Sequence, residues 1–199
     1  MSNIIPKSWK VRNISNLVGV EMSSELPIRK SVRILLINER SELLLMCADD
    51  PKTTPKDGSY YGRFWFTIGG EMEAGEDLMS AAIRELKEET GLEEHEVVFG
   101  PRVWFGEFEM ILSGTMTRLK QQFIVAHTKK SETTLEYLTE EEKKVTVKTS
   151  WFSLSDIEQS EEVVYPVQLP EYLPDILSKN YPKRPIWIDL AKKTESKAR

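Results

Sequence analysis

Glu85, Glu88 and Glu89 fall within five consecutive positions of a segment that otherwise reads as helix. At about 100° per residue they occupy an arc of roughly 100° on the helix surface. Like charges three and four positions apart oppose helix formation by about 0.2–0.5 kcal/mol per pair, and only Arg84 and Lys87 stand nearby to offset them. A cluster that works against its own helix is suited to a cation. Carboxylate oxygens with no Cys or His close by favour a hard ion such as Mg²⁺, with Mn²⁺ as a substitute. A bare E-x-x-E-E is most simply a solvated acidic face, so the flanking residues must decide.

The spacing predicts a helix from about Asp77 to Thr90. Leu78, Met79, Ala82, Ile83 and Leu86 recur every three or four residues and make one buried stripe, with the glutamate arc on the face away from it. Glu76 and Asp77 sit where the helix dipole favours negative charge, and Gly91 is a residue type that ends helices.

Gly70, Glu76, Arg84-Glu85-Leu86, Glu88, Glu89, Gly91 and Leu92 fit the pattern G-x5-E-x7-R-E-U-x-E-E-x-G-U, with U aliphatic, without a gap. This resembles the Nudix box, the signature of hydrolases that cleave nucleoside diphosphates linked to another moiety. Trp65 and the Gly69-Gly70 pair also agree with that family. Ile68 stands where many members have Pro, and is expected to alter the stiffness of the turn and not the metal chemistry.

The resemblance covers residues 29–157 and implies an α/β Nudix fold, a mixed, curved β-sheet sandwiched between α-helices. It implies Mg²⁺-dependent hydrolysis of a diphosphate bond by attack of water on phosphorus. Glu85 and Glu89 are then the main metal ligands, Glu88 a further ligand or water-orienting group, and the Gly69 carbonyl a backbone ligand. Arg84 would hold the glutamates, and Glu76 would either support the site from outside the first ring of ligands or bind a third metal ion. Because metal-bound glutamates are poor bases, a general base is expected from the acidic stretch Glu140-Glu141-Glu142, with Glu141 or Glu142 preferred.

A chain of 199 residues with 40% hydrophobic content can bury a core and is expected to form one domain over residues 29–199. The net charge of -5 argues against a nucleic-acid partner. No stretch approaches the roughly 20 apolar residues that span a bilayer, so no membrane association is expected. A single cysteine rules out an internal disulfide and agrees with a cytoplasmic location. Cys47 lies in the aliphatic run Leu43–Ala48 and reads as a core filler. Residues 1–28 carry scattered apolar side chains without a single period, and are expected to be an extension contributing contacts to a homodimer.

Downstream, Ser31–Asn38 and Leu43–Ala48 read as strands joined by a polar turn. The stretch from Asp49 to Arg63 reads as a loop able to supply a stacking ring and a phosphate-binding cation, for which Tyr61 and Arg63 are the candidates. Glu96–Glu109 reads as strand broken at Gly100-Pro101 and Gly106, Arg118–Thr128 as strand, and Ser131–Lys144 as an acidic loop. His127, at a strand end, is expected to be structural. The stretch from Val145 to Ile157 reads as a strand turning into a helix capped by Ser155 with Glu158, and Glu171–Asn180 as a last helix before a basic tail from Lys192.

Substrate motifs known from the family are absent. Nothing resembles its coenzyme A or NADH motifs, Pro101 comes too early for the ADP-ribose-type proline, and Phe108 stands near the place of the aromatic residue of diadenosine polyphosphate enzymes but reads as strand. Nucleoside triphosphates, nucleotide sugars and other diphosphates stay open. Two other classes share the fold: a catalytically silent nucleotide-binding module, and an isomerase of the isopentenyl diphosphate type. The latter needs a polar catalytic cysteine that Cys47 does not supply.

Overall fold

The computed structural model describes residues 25–191. The dimer arm expected in residues 1–28 lies almost entirely outside the described residues, as does the basic tail from Lys192. Among the described residues nine strands form one mixed sheet: β1 Ile28–Ile37, β2 Leu43–Ala48, β3 Thr54–Pro55, β4 Phe64–Thr67, β5 Val97–Leu112, β6 Thr115–Thr128, β7 Thr146–Phe152, β8 Val163–Tyr165 and β9 Ile186–Trp187. The helices are α1 Leu78–Thr90, α2 Glu140–Val145, α3 Leu154–Gln159 and α4 Leu169–Leu177.

β1 explains the layering. From Val32 to Ile37 every residue except Arg33 is aliphatic, because both faces of the strand are covered. Val32, Ile34 and Leu36 pack toward α1, with Ala81, Ala82 and Leu86. Leu35 and Ile37 point the other way, into a core built with Trp104, Phe123, Leu169, Leu173 and Ile176. A mixed sheet between helices results, as expected.

The sheet parts where the site is formed. β1 runs parallel to β6 over its whole length but meets β2 only at Ile37 and Leu43. β2 then turns to pair with β4 and β7. The remaining edge of β1 is taken by the segment entering the box: Val32 N–H donates to Gly70 O (3.0 Å), Ile34 N–H to Ile68 O (2.9 Å), and Met72 N–H to Lys30 O (2.9 Å). Ile68 is fully buried here, so in place of proline it anchors this segment in the core.

Several local expectations are corrected. β5 is continuous over Val97–Leu112; bulges on either side of Arg102 absorb Gly100-Pro101. Gly106 is no break, but a point where a Cβ would lie 2.5 Å from Ile188 O, so glycine lets the closing segment cross the strand. The end of the acidic loop is helical, forming α2. α3 is capped by Ser153 with Asp156, not by Ser155 with Glu158. α4 begins two residues earlier than expected, since Pro170 is tolerated in a first turn, and ends at Leu177.

Candidate active site

The α1 helix begins at the cap Asp77, whose side chain accepts from Ser80 N–H (2.8 Å), and is closed by Gly91 in a left-handed conformation. The expected apolar stripe is only partly buried: Ala82 and Leu86 are covered, Leu78 and Ile83 are half-buried and Met79 is exposed. The covered face of α1 is the one that carries Ala81, Ala82, Glu85, Leu86 and Glu89, so two of the glutamates share the buried face instead of lying away from it. Glu85 and Glu89 are each only 7% exposed, covered by the Gly69-Gly70 segment, whereas Glu88 stands at the rim. Glu89 Oε2 accepts from Gly69 N–H at 2.5 Å. A Cβ on Gly70 would sit 2.5 Å from Glu85 Oε1, so the carboxylate uses the space a side chain would need.

Arg84 ties the acids together. Its Nε and Nη2 grip Glu76 at 3.0 and 2.9 Å, Nη2 also reaches Glu71 O (2.8 Å), and Nη1 donates to Glu85 (2.8 Å) and Glu88 (3.1 Å). The bidentate grip on Glu76 fixes the fork, so that Nη1 faces the other two carboxylates. The Glu76 hydrogen bonds, aided by Glu85, hold the Arg84 guanidinium well above its ordinary range.

The other pole is Arg33, which the sequence reading passed over. Its Nη1 donates to Thr67 O (3.2 Å) and to Gly69 O, and its guanidinium lies over the Phe66 ring at 5.7 Å. Burial lowers its pKa to about 10, partly offset by Glu89 and Glu85. A signal was available: it is the one charged residue in an otherwise aliphatic strand run.

Burial lifts the Glu89 carboxyl to about 8, the Glu85 charge adds to the rise, and the Gly69 N–H and Arg33 oppose it. Glu85 is raised too, by burial first, with Arg84 working against it. Two desolvated carboxylates one turn apart, a third at the rim and a carbonyl beside them are hard oxygen donors with charge to be neutralised, and the set fits a divalent ion. Among the described residues no three His, Cys, Asp or Glu side chains gather around one point.

The remaining candidates stand further out. Glu140 and Glu141 are largely exposed beside Lys143 (3.1 Å) and Lys144 (3.9 Å). Glu142 accepts from Thr139 N–H (2.9 Å) and Oγ1 (2.7 Å) in a capping box, and its charge is felt at Glu89. Tyr61 is exposed, and Arg63 lies 3.9 Å from Asp49 in a loop pinned to β5 through Lys56 and Glu109 (2.6 Å). The structure shows no contact of Tyr61 or Arg63 with the box glutamates. His127 bonds Tyr181 through Nε2 (2.8 Å), Cys47 is fully buried with its thiol pKa raised by burial, and Phe108 pairs with Leu119 within the sheet.

The comparisons with known proteins agree with this geometry. The model of the NUDIX domain matches residues 27–172. No curated protein matches the chain. Among solved structures, the MutT protein from Methanosarcina mazei Go1 is similar with a TM-score of 0.54 and 24% identity, over 81% of this chain and 100% of that one. A NUDIX hydrolase from Nitrosomonas europaea is similar with a TM-score of 0.52 and 18% identity, over 78% of this chain and 91% of its own. The E. coli dihydroneopterin triphosphate pyrophosphohydrolase is similar with a TM-score of 0.51 and 14% identity, over 77% and 99%. At these identities the likeness is one of fold; the family model, matched over most of the chain and holding an undamaged glutamate cluster, establishes that the chain belongs to the NUDIX family, whose hydrolases act on acid anhydrides in phosphorus-containing compounds.

Proposed function

We propose that the chain is a Mg²⁺-dependent hydrolase cleaving the diphosphate bond of a nucleoside diphosphate linked to another moiety. The observation that carries this reading is the burial of Glu85 and Glu89 against the Gly69-Gly70 backbone, with both carboxyls driven toward protonation by desolvation. Glu85, Glu89, Glu88 and the Gly69 carbonyl would hold the ion. When bound, it supplies neutralisation of phosphate charge and a water acidic enough to react near neutral pH.

The chain's own residues do the rest. Arg84 orients Glu85 and Glu88 from one side through its grip on Glu76. Gly69 N–H fixes the Glu89 carboxylate so that its second oxygen is the one available. Glu142, whose charge is felt at Glu89, is the proposed base; Glu141, likewise exposed, instead faces Lys144 at 3.9 Å. Tyr61 and Arg63 are retained as proposed substrate contacts from the loop before β4. The buried, unpaired Cys47 thiol suits a reducing, cytoplasmic setting.

The test is incubation of the full chain with Mg²⁺ and a panel of nucleoside triphosphates, nucleotide sugars and dinucleoside polyphosphates, with the released phosphates identified by chromatography. Release of a nucleoside monophosphate from at least one compound is the expected result. Tight binding of a compound with no turnover at any Mg²⁺ concentration would instead favour a silent binding module.

A further inference from the structure

A cleft of about 650 Å³ lies where β1 and β6 end and β5 begins. Val32, the residue bonded to Gly70, is five positions upstream of Ile37 at the cleft edge, about 17 Å along the strand at 3.3 Å per residue. The cleft is lined by no box residue.

Its chemistry runs against that of the whole chain. Lys129, Lys130 and Lys179 line it, with both histidines of the sequence, His95 and His127, in a protein of net charge -5. Glu96 holds Lys130 at 3.0 Å, and Glu39 only approaches the exposed Lys129 at 4.0 Å. His127 is tied to Tyr181 and forms part of the wall. Burial first, and then the charge of Lys179, lower its pKa.

Three described non-glycine residues have left-handed backbones, and two of them, Ser41 (φ 58) and Lys179 (φ 59), line this cleft. Each belongs to a local chain reversal: Ser41 to the β1–β2 turn, where its N–H bonds Asn38 O (3.1 Å), and Lys179 to the close of α4, where Asn180 N–H bonds Asp175 O (2.8 Å). At Lys179 the turn just past α4 brings a lysine to the cleft. Val98, 72% exposed, and Leu177 add an apolar surface beside the cations.

We propose that this cleft is a second, non-catalytic binding site for a phosphorylated small molecule. Lys129, Lys179 and His95 hold the phosphoryl group, and Val98 with Leu177 supports an apolar or aromatic body. The volume falls within the range of small-molecule sites, and an ammonium pair is the point-charge arrangement that suits a phosphate.

The two histidines make the site directly observable. In the proton NMR spectrum of the full chain, the imidazole C–H signals arise from His95 and His127 alone. The titration uses AMP as probe and adenosine as control, with EDTA present and pH and ionic strength fixed. AMP is expected to shift the His95 signal saturably, with a Kd in about the millimolar range or tighter, and adenosine to leave it in place. The double variant Lys129→Gln/Lys179→Gln should weaken the AMP response at least roughly tenfold, as loss of two charge contacts requires. Both lysines replaced by Arg should retain it, and Glu89→Gln should bind AMP here as the parent does, which separates this site from the box. No saturable shift with AMP, an equal response to adenosine, or an undiminished response in the double Gln variant would overturn the proposal.

Discussion

The guanidinium of Arg33 donates to the carbonyl oxygen of Gly69, the backbone group assigned above as a metal ligand. The same guanidinium partly neutralises Glu85 and Glu89, so one cation serves three groups that a divalent ion would take over. Arg33→Gln removes a positive charge and frees the carbonyl. Mn²⁺ affinity of the substrate-free protein, followed by electron paramagnetic resonance, should rise by roughly tenfold, the scale of one screened charge interaction. Thermal stability without metal should fall, because two buried carboxyls lose their counter-charge. Unchanged Mn²⁺ affinity would remove Gly69 from the ligand set.

Glu89 makes the stability of the metal-free protein pH-dependent. Its folded pKa of about 8 lies above the ordinary carboxyl value of 4.5, so the folded state binds the extra proton. The stability this proton contributes is fully present below about pH 4.5 and is lost as pH rises through about 8. Glu85 shifts in the same direction. Denaturant midpoints with EDTA should therefore decline from weakly acid to alkaline pH, and Glu89→Gln should flatten that decline. Added Mg²⁺ should flatten it as well, by favouring the charged form. A midpoint that is already flat in the parent protein with EDTA contradicts the burial of these acids.

Gly70→Ala tests the packing of the second ligand. The new methyl would lie 2.5 Å from Glu85 Oε1, so the carboxylate must move. Turnover should drop by about as much as in Glu85→Gln, while the global cost stays near 1–3 kcal/mol, the usual scale for inserting a methyl into a packed site. Calorimetric melting and initial rates on one substrate would separate the two effects.

Glu142→Gln keeps an oxygen that can accept from Thr139, so the α2 cap should survive. If Glu142 takes the proton from water, kcat should fall by roughly 10²–10⁴-fold with KM little changed. Glu141→Gln, in a side chain surrounded by solvent, should leave both constants near the parent values. Equal loss in the two variants would point to a structural role for α2.

How much of this was legible in the residues depends on the range of the interaction. The α1 helix, its Asp77 and Gly91 ends and the clustering of its glutamates were readable because all are set by spacing within one helix, whereas the face it buries was misjudged, Met79 being exposed. The burial of Glu85 and Glu89 was not, because it is produced by Ile68–Gly70 docking along β1, a contact between segments far apart in sequence. Arg33 was overlooked for the same reason, although a charge amid Val32, Ile34 and Leu35 marked it. The break expected at Gly106 failed because the residue that requires a glycine there, Ile188, arrives from the far end of the chain. The α3 cap was misplaced by two residues, as both Ser153 and Ser155 have an acid three positions on and only packing chooses between them.

The central claim is that the buried glutamates of α1 form the metal centre of a diphosphate hydrolase. Its most direct test is the initial rate of nucleoside monophosphate release at saturating Mg²⁺, measured for the parent chain and for Glu89→Gln on the best substrate of the panel. Loss of a ligand should reduce turnover by several orders of magnitude, while the metal-free variant, relieved of a desolvated carboxyl, melts no lower than the metal-free parent. Near-parental turnover in a folded Glu89→Gln protein would contradict the account.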